Sequence, residues 1–161
     1  RNGFENKPGK VYIAATVESV FQILSSRAMQ KKIVLINAVD AAHTAYVDPN
    51  ILANVLINLV NNAIKFTPLS GQITVKASFS HENEVTICVE DNGIGIPAEK
   101  LDKLFDLDSD FKRKGTADEL GTGLGLVLVK EFVKASKGSL SVKSTESEGS
   151  VFCVTLPADK F

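Results

Sequence analysis

Apolar positions along the chain change period several times, and each change marks an element. Val17, Val20, Phe21, Leu24 and Ala28 recur at helical spacing and predict an amphipathic helix after a short strand around Val11–Ala14. Ile33–Ala38 and Thr44–Val47 read as a pair of short strands. Asp48-Pro49 is a helix start, with an acid at the N-cap and proline at the first helical position. That helix is expected to run to about Phe66 and to end at Thr67-Pro68, because a proline disfavours helical backbone in the residue before it. Ile73, Val75, Ala77 and Phe79 then alternate with polar residues, which predicts a strand with one buried face. A turn at His81–Glu84 leads to a second strand carrying Val85, Ile87 and Val89. Pro97–Phe105 reads as a short helix, 106–120 as a polar stretch without period, and 123–136 as helix again. Leu140 and Val142, then Phe152, Val154 and Leu156, supply a closing strand pair around a turn at Glu146–Gly149. Helices and strands mix without strict βαβ alternation, so the expected class is α+β, a layer of helices on one face of a sheet.

The rest of the composition narrows the picture mainly by exclusion. A length of 161 residues fits one domain, with residues 1–9 read as a linker and 10–161 as the folded unit. Arg1 is read as the edge of a longer chain. With 18 basic against 19 acidic residues there is no electrostatic case for nucleic acid or an anionic membrane. Apolar runs such as Leu126–Val129 are far too short to cross a bilayer, and no signal peptide opens the sequence. Cys88 and Cys153 fall in separate strand-like segments with no CxxC spacing; both are expected as reduced, structural thiols, which fits a cytoplasmic domain.

Three local features carry candidate chemistry. On the 49–66 helix, Asn58, Asn62 and Lys65 lie within an arc of roughly 60°, flanked by Asn54 and Asn61. A solvated face would explain a polar stripe, but asparagine is a mediocre helix former, and four of them in the nine residues 54–62 call for another reason. Neutral oxygens for a hard cation, beside an ammonium that can meet phosphate, supply one. Second, Asp91-Asn92-Gly93-Ile94-Gly95-Ile96-Pro97 follows a hydrophobic strand. Alone it reads as a turn, although a carboxylate there could also accept from an exocyclic amine. Third, Gly121-Thr122-Gly123-Leu124-Gly125-Leu126 opens a helix, whose bare amides form a ready anion site. It is neither a P-loop nor a Rossmann turn, since the spacing is GxGxG and a charged loop precedes it.

Taken in order, these segments resemble the N, G1 and G2 boxes of the GHKL ATP-binding superfamily, and within it the sensor histidine kinases. Leu104-Phe105 with Phe111 resembles the F box of the family's ATP lid, and Gly149–Phe152 with Thr155-Leu156-Pro157 its final hairpin. The resemblance implies a Bergerat fold, a two-layer α/β sandwich with a mixed sheet covered on one face by three main helices. It implies ATP and Mg²⁺ as ligands, with Asn62 on the metal and Asn58 supporting the phosphate and metal shell. Lys65 would contact phosphates, Phe66 would pack on adenine, Asp91 would accept from its amino group, and Gly93 and Gly95 would let the ring approach, with Ile96 also in the ATP-binding set. Amides of Gly121, Thr122, Gly123, Leu124, Gly125 and Leu126 would hold the phosphates. Residues 97–120 would form the lid, in which Lys112-Arg113-Lys114 could reach the γ-phosphate, Arg113 foremost; a solvated charge run explains the same residues equally well.

Related ATPases of the superfamily place a glutamate where Asn58 stands, and a neutral amide cannot act as general base at pH 7. The resemblance therefore implies protein-histidine kinase chemistry, with a GHKL-type ATPase switch or an anti-sigma-like serine kinase as alternatives. The acceptor is expected outside this chain. His43 is expected on the surface between strands and His81 in a hairpin turn, neither on a helix. Expected partners are a dimerisation and phosphoacceptor domain and a response-regulator receiver domain. The isolated domain is expected to be monomeric, free of membrane contact and unable to phosphorylate itself.

Overall fold

The computed structural model describes residues 5–104 and 125–159. Two strands, β1 (Gly9–Tyr12) and β3 (Thr44–Val47), pair antiparallel. Five others form the main sheet in the order β2 (Val34–Asn37), β4 (Gln72–Phe79), β5 (Glu84–Asp91), β7 (Gly149–Pro157), β6 (Ser139–Thr145). Only the β2–β4 pair is parallel, so the sheet is mixed as expected. Its covering helices are α1 (Ile13–Gln30), α2 (Pro49–Lys65) and α4 (Gly125–Ala135), with α2 packed between the other two. A single turn, α3 (Ala98–Leu101), follows the β5 loop.

Period decides which side chains go inward. Ile73 and Val75 of β4, Val85, Ile87 and Val89 of β5, and Phe152, Val154 and Leu156 of β7 all face the helices and are buried. Against them pack Val17, Val20 and Leu24 of α1, Ile51, Leu52, Val55, Leu56, Leu59 and Val60 of α2, and Val129 and Val133 of α4. Burying such a set is the main stabilisation of the domain. The opposite face of the sheet carries Thr86 and Thr155, whose hydroxyls lie 2.9 Å apart, with Cys88 and Cys153 beside them.

Three expectations are corrected. The strands at 34–37 and 44–47 do not pair with each other: β2 pairs with β4 and β3 with β1. Proximity in sequence suggested a hairpin, but a helix on each side gives each strand a distant partner. The cysteines are not separate thiols; Cys88 and Cys153 stand directly opposite in the β5–β7 register and form a disulfide. The thiol argument for a cytoplasmic domain falls with that finding. His43 is only partly exposed, with its ring edge-on to Phe79 at 4.6 Å and its Nδ1 buried without a hydrogen bond. His81 lies in the β4–β5 turn as expected. Among residues 5–9, the Lys7 amide donates to Asp48 Oδ2 at 2.8 Å and the Asn6 side chain donates to the Ala135 carbonyl, so this segment is tied onto the fold. No helix among the described residues is long and apolar enough to cross a membrane.

Candidate active site

Helix α2 carries the first group of residues, and both its ends are fixed. Asp48 caps the amino end, accepting from the Asn50 amide at 2.8 Å, with Pro49 at the first turn where no amide is needed. Along the polar stripe, the Asn54 and Asn58 side-chain amides each donate to the carbonyl four residues back, at 2.8 Å. That arrangement uses the NH₂ of Asn58 and turns its Oδ1 toward the start of α4. A Cβ on Gly125 would lie 3.0 Å from that oxygen. Asn61 departs from the stripe: it accepts from Arg27 of α1 at 3.0 Å, which accounts for one of the four asparagines structurally.

At the carboxyl end of α2 the Lys65 ammonium sits 5.0 Å from the centre of the Phe66 ring. Thr67 is fully buried, and its hydroxyl donates to the Ala63 carbonyl at 2.7 Å, which closes the last turn. The Phe66 carbonyl then accepts from the Ile94 amide at 3.0 Å. This bond joins α2 directly to the loop after β5.

Asp91 ends β5 in that loop. Burial raises its pKa from 3.8 to about 6, while hydrogen bonds from the Gly93 and Ser150 amides pull the other way. The Gly93 amide meets Asp91 Oδ1 at 2.8 Å. Both loop glycines are sterically required: a Cβ at Gly93 would sit 2.2 Å from the Phe66 carbonyl, and one at Gly95, where φ is +71°, 2.2 Å from the Thr145 carbonyl. Protein backbone therefore fills the space that the missing side chains leave. Ile96 is buried, and its amide donates to Ser144 Oγ at 2.7 Å. Ser144 in turn donates to the Gly149 carbonyl, and the Ser147 amide donates to the Ile94 carbonyl. The β6–β7 hairpin thus clasps the Asp91 loop, a role that nothing in the spacing of Ser144 or Ser150 announces.

The structure brings Asn58, Lys65, Phe66, Asp91, Gly93, Gly95, Ile96, Gly125 and Leu126 onto α2, the β5 loop and the start of α4. Gly121, Thr122, Gly123 and Leu124, together with Phe105, Phe111, Lys112, Arg113 and Lys114, lie outside the described residues. An open cleft of ≈ 510 Å³ lies at the other end of α2, between Lys7, Asp48, Asn50, Asn54 and Phe132, and includes neither Asn58 nor Asp91. Among the described residues no cluster of three or more His, Cys, Asp or Glu side chains could hold a metal.

Residues 47–160 match the family described as histidine kinase-, DNA gyrase B-, and HSP90-like ATPase. The chain belongs to that family. It is 46% identical over 111 residues to the circadian input-output histidine kinase CikA of Thermosynechococcus vestitus, covering 66% of this chain and 14% of that protein. It is 34% identical over 155 residues to the adaptive-response sensory kinase SasA of Synechococcus elongatus, covering 96% of this chain and 40% of that one. Among solved structures, full-length ShkA in complex with AMPPNP superposes with a TM-score of 0.81 at 27% identity, over 96% of this chain and 32% of that one. The catalytic domain of histidine kinase ThkA superposes at 0.79 with 25% identity, over 94% of this chain and 96% of that one. The mixed sheet with helices on one face is therefore the histidine-kinase ATPase fold expected from the motifs. This chain spans only a minor part, 14% to 40%, of these two curated relatives' length.

Proposed function

We propose that this domain binds MgATP and presents the γ-phosphoryl group to a histidine on a separate dimerisation domain, as the catalytic part of a two-component sensor histidine kinase. The observation that carries the reading is Asn58, a neutral amide facing the start of α4 where a hydrolase would need a carboxylate. It cannot deprotonate water, whereas a neutral imidazole acceptor is already nucleophilic, so positioning and charge neutralisation suffice.

In this assignment the Asp91 carboxylate accepts from the adenine amino group and Phe66 packs on the ring. Gly93, Gly95 and Ile96 hold the wall beneath the base against Phe66 and the β6–β7 hairpin. Lys65 would reach the phosphates, and amides of the segment from Gly121 to Leu126 would hold them. Asn58 and Asn62 would hold the cation through neutral amide oxygens, ligands that suit a hard ion such as Mg²⁺. Bound there, Mg²⁺ would neutralise phosphate charge. Arg113 would meet the γ-phosphate. The phosphoryl group would pass from the histidine to a response-regulator receiver domain. The domain alone, monomeric and lacking an acceptor, would bind nucleotide without phosphorylating itself. The work of such a domain is cytoplasmic, where ATP is available.

Mixing the chain with its dimerisation domain and γ-labelled ATP tests this: acid-labile label on a histidine of the dimerisation domain is expected. Label on serine, or rapid hydrolysis with no transfer, would overturn it.

A further inference from the structure

Lys31 is a lysine with only 6% of its surface exposed, at the end of α1, far in sequence from every box. A buried ammonium is costly unless it is well solvated by protein dipoles. Here its Nζ donates to the Ile64 carbonyl at 2.9 Å and to the Lys65 carbonyl at 3.2 Å. These belong to the last turn of α2, where carbonyls lack the regular partner four residues on and the helix dipole is negative; the Ile64 carbonyl takes the Thr67 amide at 3.3 Å as well. The Lys31 main chain adds a second tie, its carbonyl accepting from the Ser70 amide at 2.8 Å. One residue thus caps α2 from the side and anchors the loop that leaves it.

The residue after Lys65 is Phe66, whose carbonyl takes the Ile94 amide and lies where a Gly93 Cβ would clash. Clearance there is too small to absorb movement. A shift of the last α2 turn would drive the Phe66 carbonyl into, or away from, the Gly93–Ile94 backbone. Gly93 in turn donates to Asp91 Oδ1. A continuous chain of short contacts therefore runs from the Lys31 ammonium to the Asp91 carboxylate.

We propose that Lys31 is a positioning residue for the purine-binding wall: its buried ammonium fixes the carboxyl end of α2, and through Phe66 and Ile94 the turn that aims Asp91. This rests on the assignment of Asp91 and Phe66 to the base. It distinguishes Lys31 from a residue that serves stability alone, because its loss should weaken base recognition beyond what instability explains.

The test titrates ADP without Mg²⁺, which removes the metal-dependent part of binding, into the wild type, Lys31→Met, Lys31→Gln, Lys31→Arg and Leu24→Ala, with melting temperatures for all. Leu24 is a buried core residue of α1 and serves as the stability control. Lys31→Met should weaken ADP about 10-fold, as loss of a charge-assisted hydrogen-bond pair predicts. Lys31→Arg should recover most of that affinity, and Lys31→Gln, which keeps a donor and a milder burial cost, should fall between them. Leu24→Ala should melt lower yet bind as the wild type does. If Lys31→Met does not fold, the Gln and Arg variants carry the comparison. Unchanged affinity in the Lys31 variants, or an equal loss in Leu24→Ala, would overturn the inference while leaving the site assignment intact. Failure of the wild type to bind ADP at all would overturn both.

Discussion

Gly125 and Asn58 face each other across the junction of α4 and α2, so closely that a Cβ on the glycine would lie 3.0 Å from the asparagine oxygen. Glycine is a poor helix former, and alanine in its place should add stability, up to about 1 kcal/mol. The same methyl would push Asn58 Oδ1 aside while its NH₂ stays tied to Asn54. Gly125→Ala should therefore melt at or above the wild-type temperature yet lose Mg²⁺-dependent ADP affinity several-fold. Paired melting curves and titrations with and without Mg²⁺ check this; a variant that gains stability and keeps full affinity would show that the contact is mere packing.

Gly93→Ala should behave differently, because its methyl would meet the Phe66 backbone first and Asp91 Oδ1 as well. At 2.2 Å from the Phe66 carbonyl, something must move. A loss of about 2–4 kcal/mol of stability is expected, as for other forced backbone rearrangements, with ADP binding weakened whether or not Mg²⁺ is present. Gly9→Ala, with nothing near its Cβ, is the matched control and should leave both unchanged. Denaturant melts of the two variants decide the point.

Asp91 makes the site pH-dependent in two opposite senses. Its folded pKa of about 6 lies above the ordinary 3.8, so the folded apo-protein holds the proton more tightly than the unfolded chain. The stabilisation from that proton is present below about pH 4 and is lost as pH rises through about 6. Accepting from an adenine amine needs the ionised carboxylate, so ADP affinity should rise over the same interval and level off above it. Titrations from pH 5 to 8 should show this rise in the wild type and a flat, weak profile in Asp91→Asn. A flat wild-type profile would remove Asp91 from the base.

The Cys88–Cys153 disulfide closes a loop with a sequence separation of 65. Chain-entropy reasoning assigns such a loop about 4 kcal/mol, and about 10 °C in melting temperature for a domain of this size. Reductant should lower the melting temperature by that order, and Cys88→Ser should melt equally low with or without it. ADP affinity should not change, because the bridge lies on the sheet face away from the helices. Two free thiols in the unreduced, unfolded chain would contradict the pairing.

Helix positions and most strands could be read from period and punctuation alone. Asp48-Pro49 and Thr67-Pro68 bracket α2 because their constraints are local. The strand partners of β2 and β3 could not be read that way, since parallel pairing of Val34–Asn37 with β4 depends on how α2 crosses the sheet. The same limit hid the Cys88–Cys153 pairing, which is a matter of register. Among the candidate site residues, the asparagines of α2 are odd for a helix, whereas Asp91 with its glycines reads alone as a turn; only the order of the three segments joins them with Lys65 into one candidate site. Nothing in the sequence marks Lys31 or Ser144, and only the packed structure gives their polar atoms Ile64, Lys65, Ile96 and Gly149 as partners.

The proposed site assigns the base to Asp91 and the metal to Asn62, and calorimetric titration with ADP, with and without Mg²⁺, separates the two roles. Asp91→Ala should lose nucleotide in both conditions, by about 100-fold for a charge-assisted contact in a desolvated site. Asn62→Ala should keep the Mg²⁺-free affinity of the wild type and lose only the gain that Mg²⁺ provides. Wild-type titrations from both variants would contradict the assignment of base and metal to these residues.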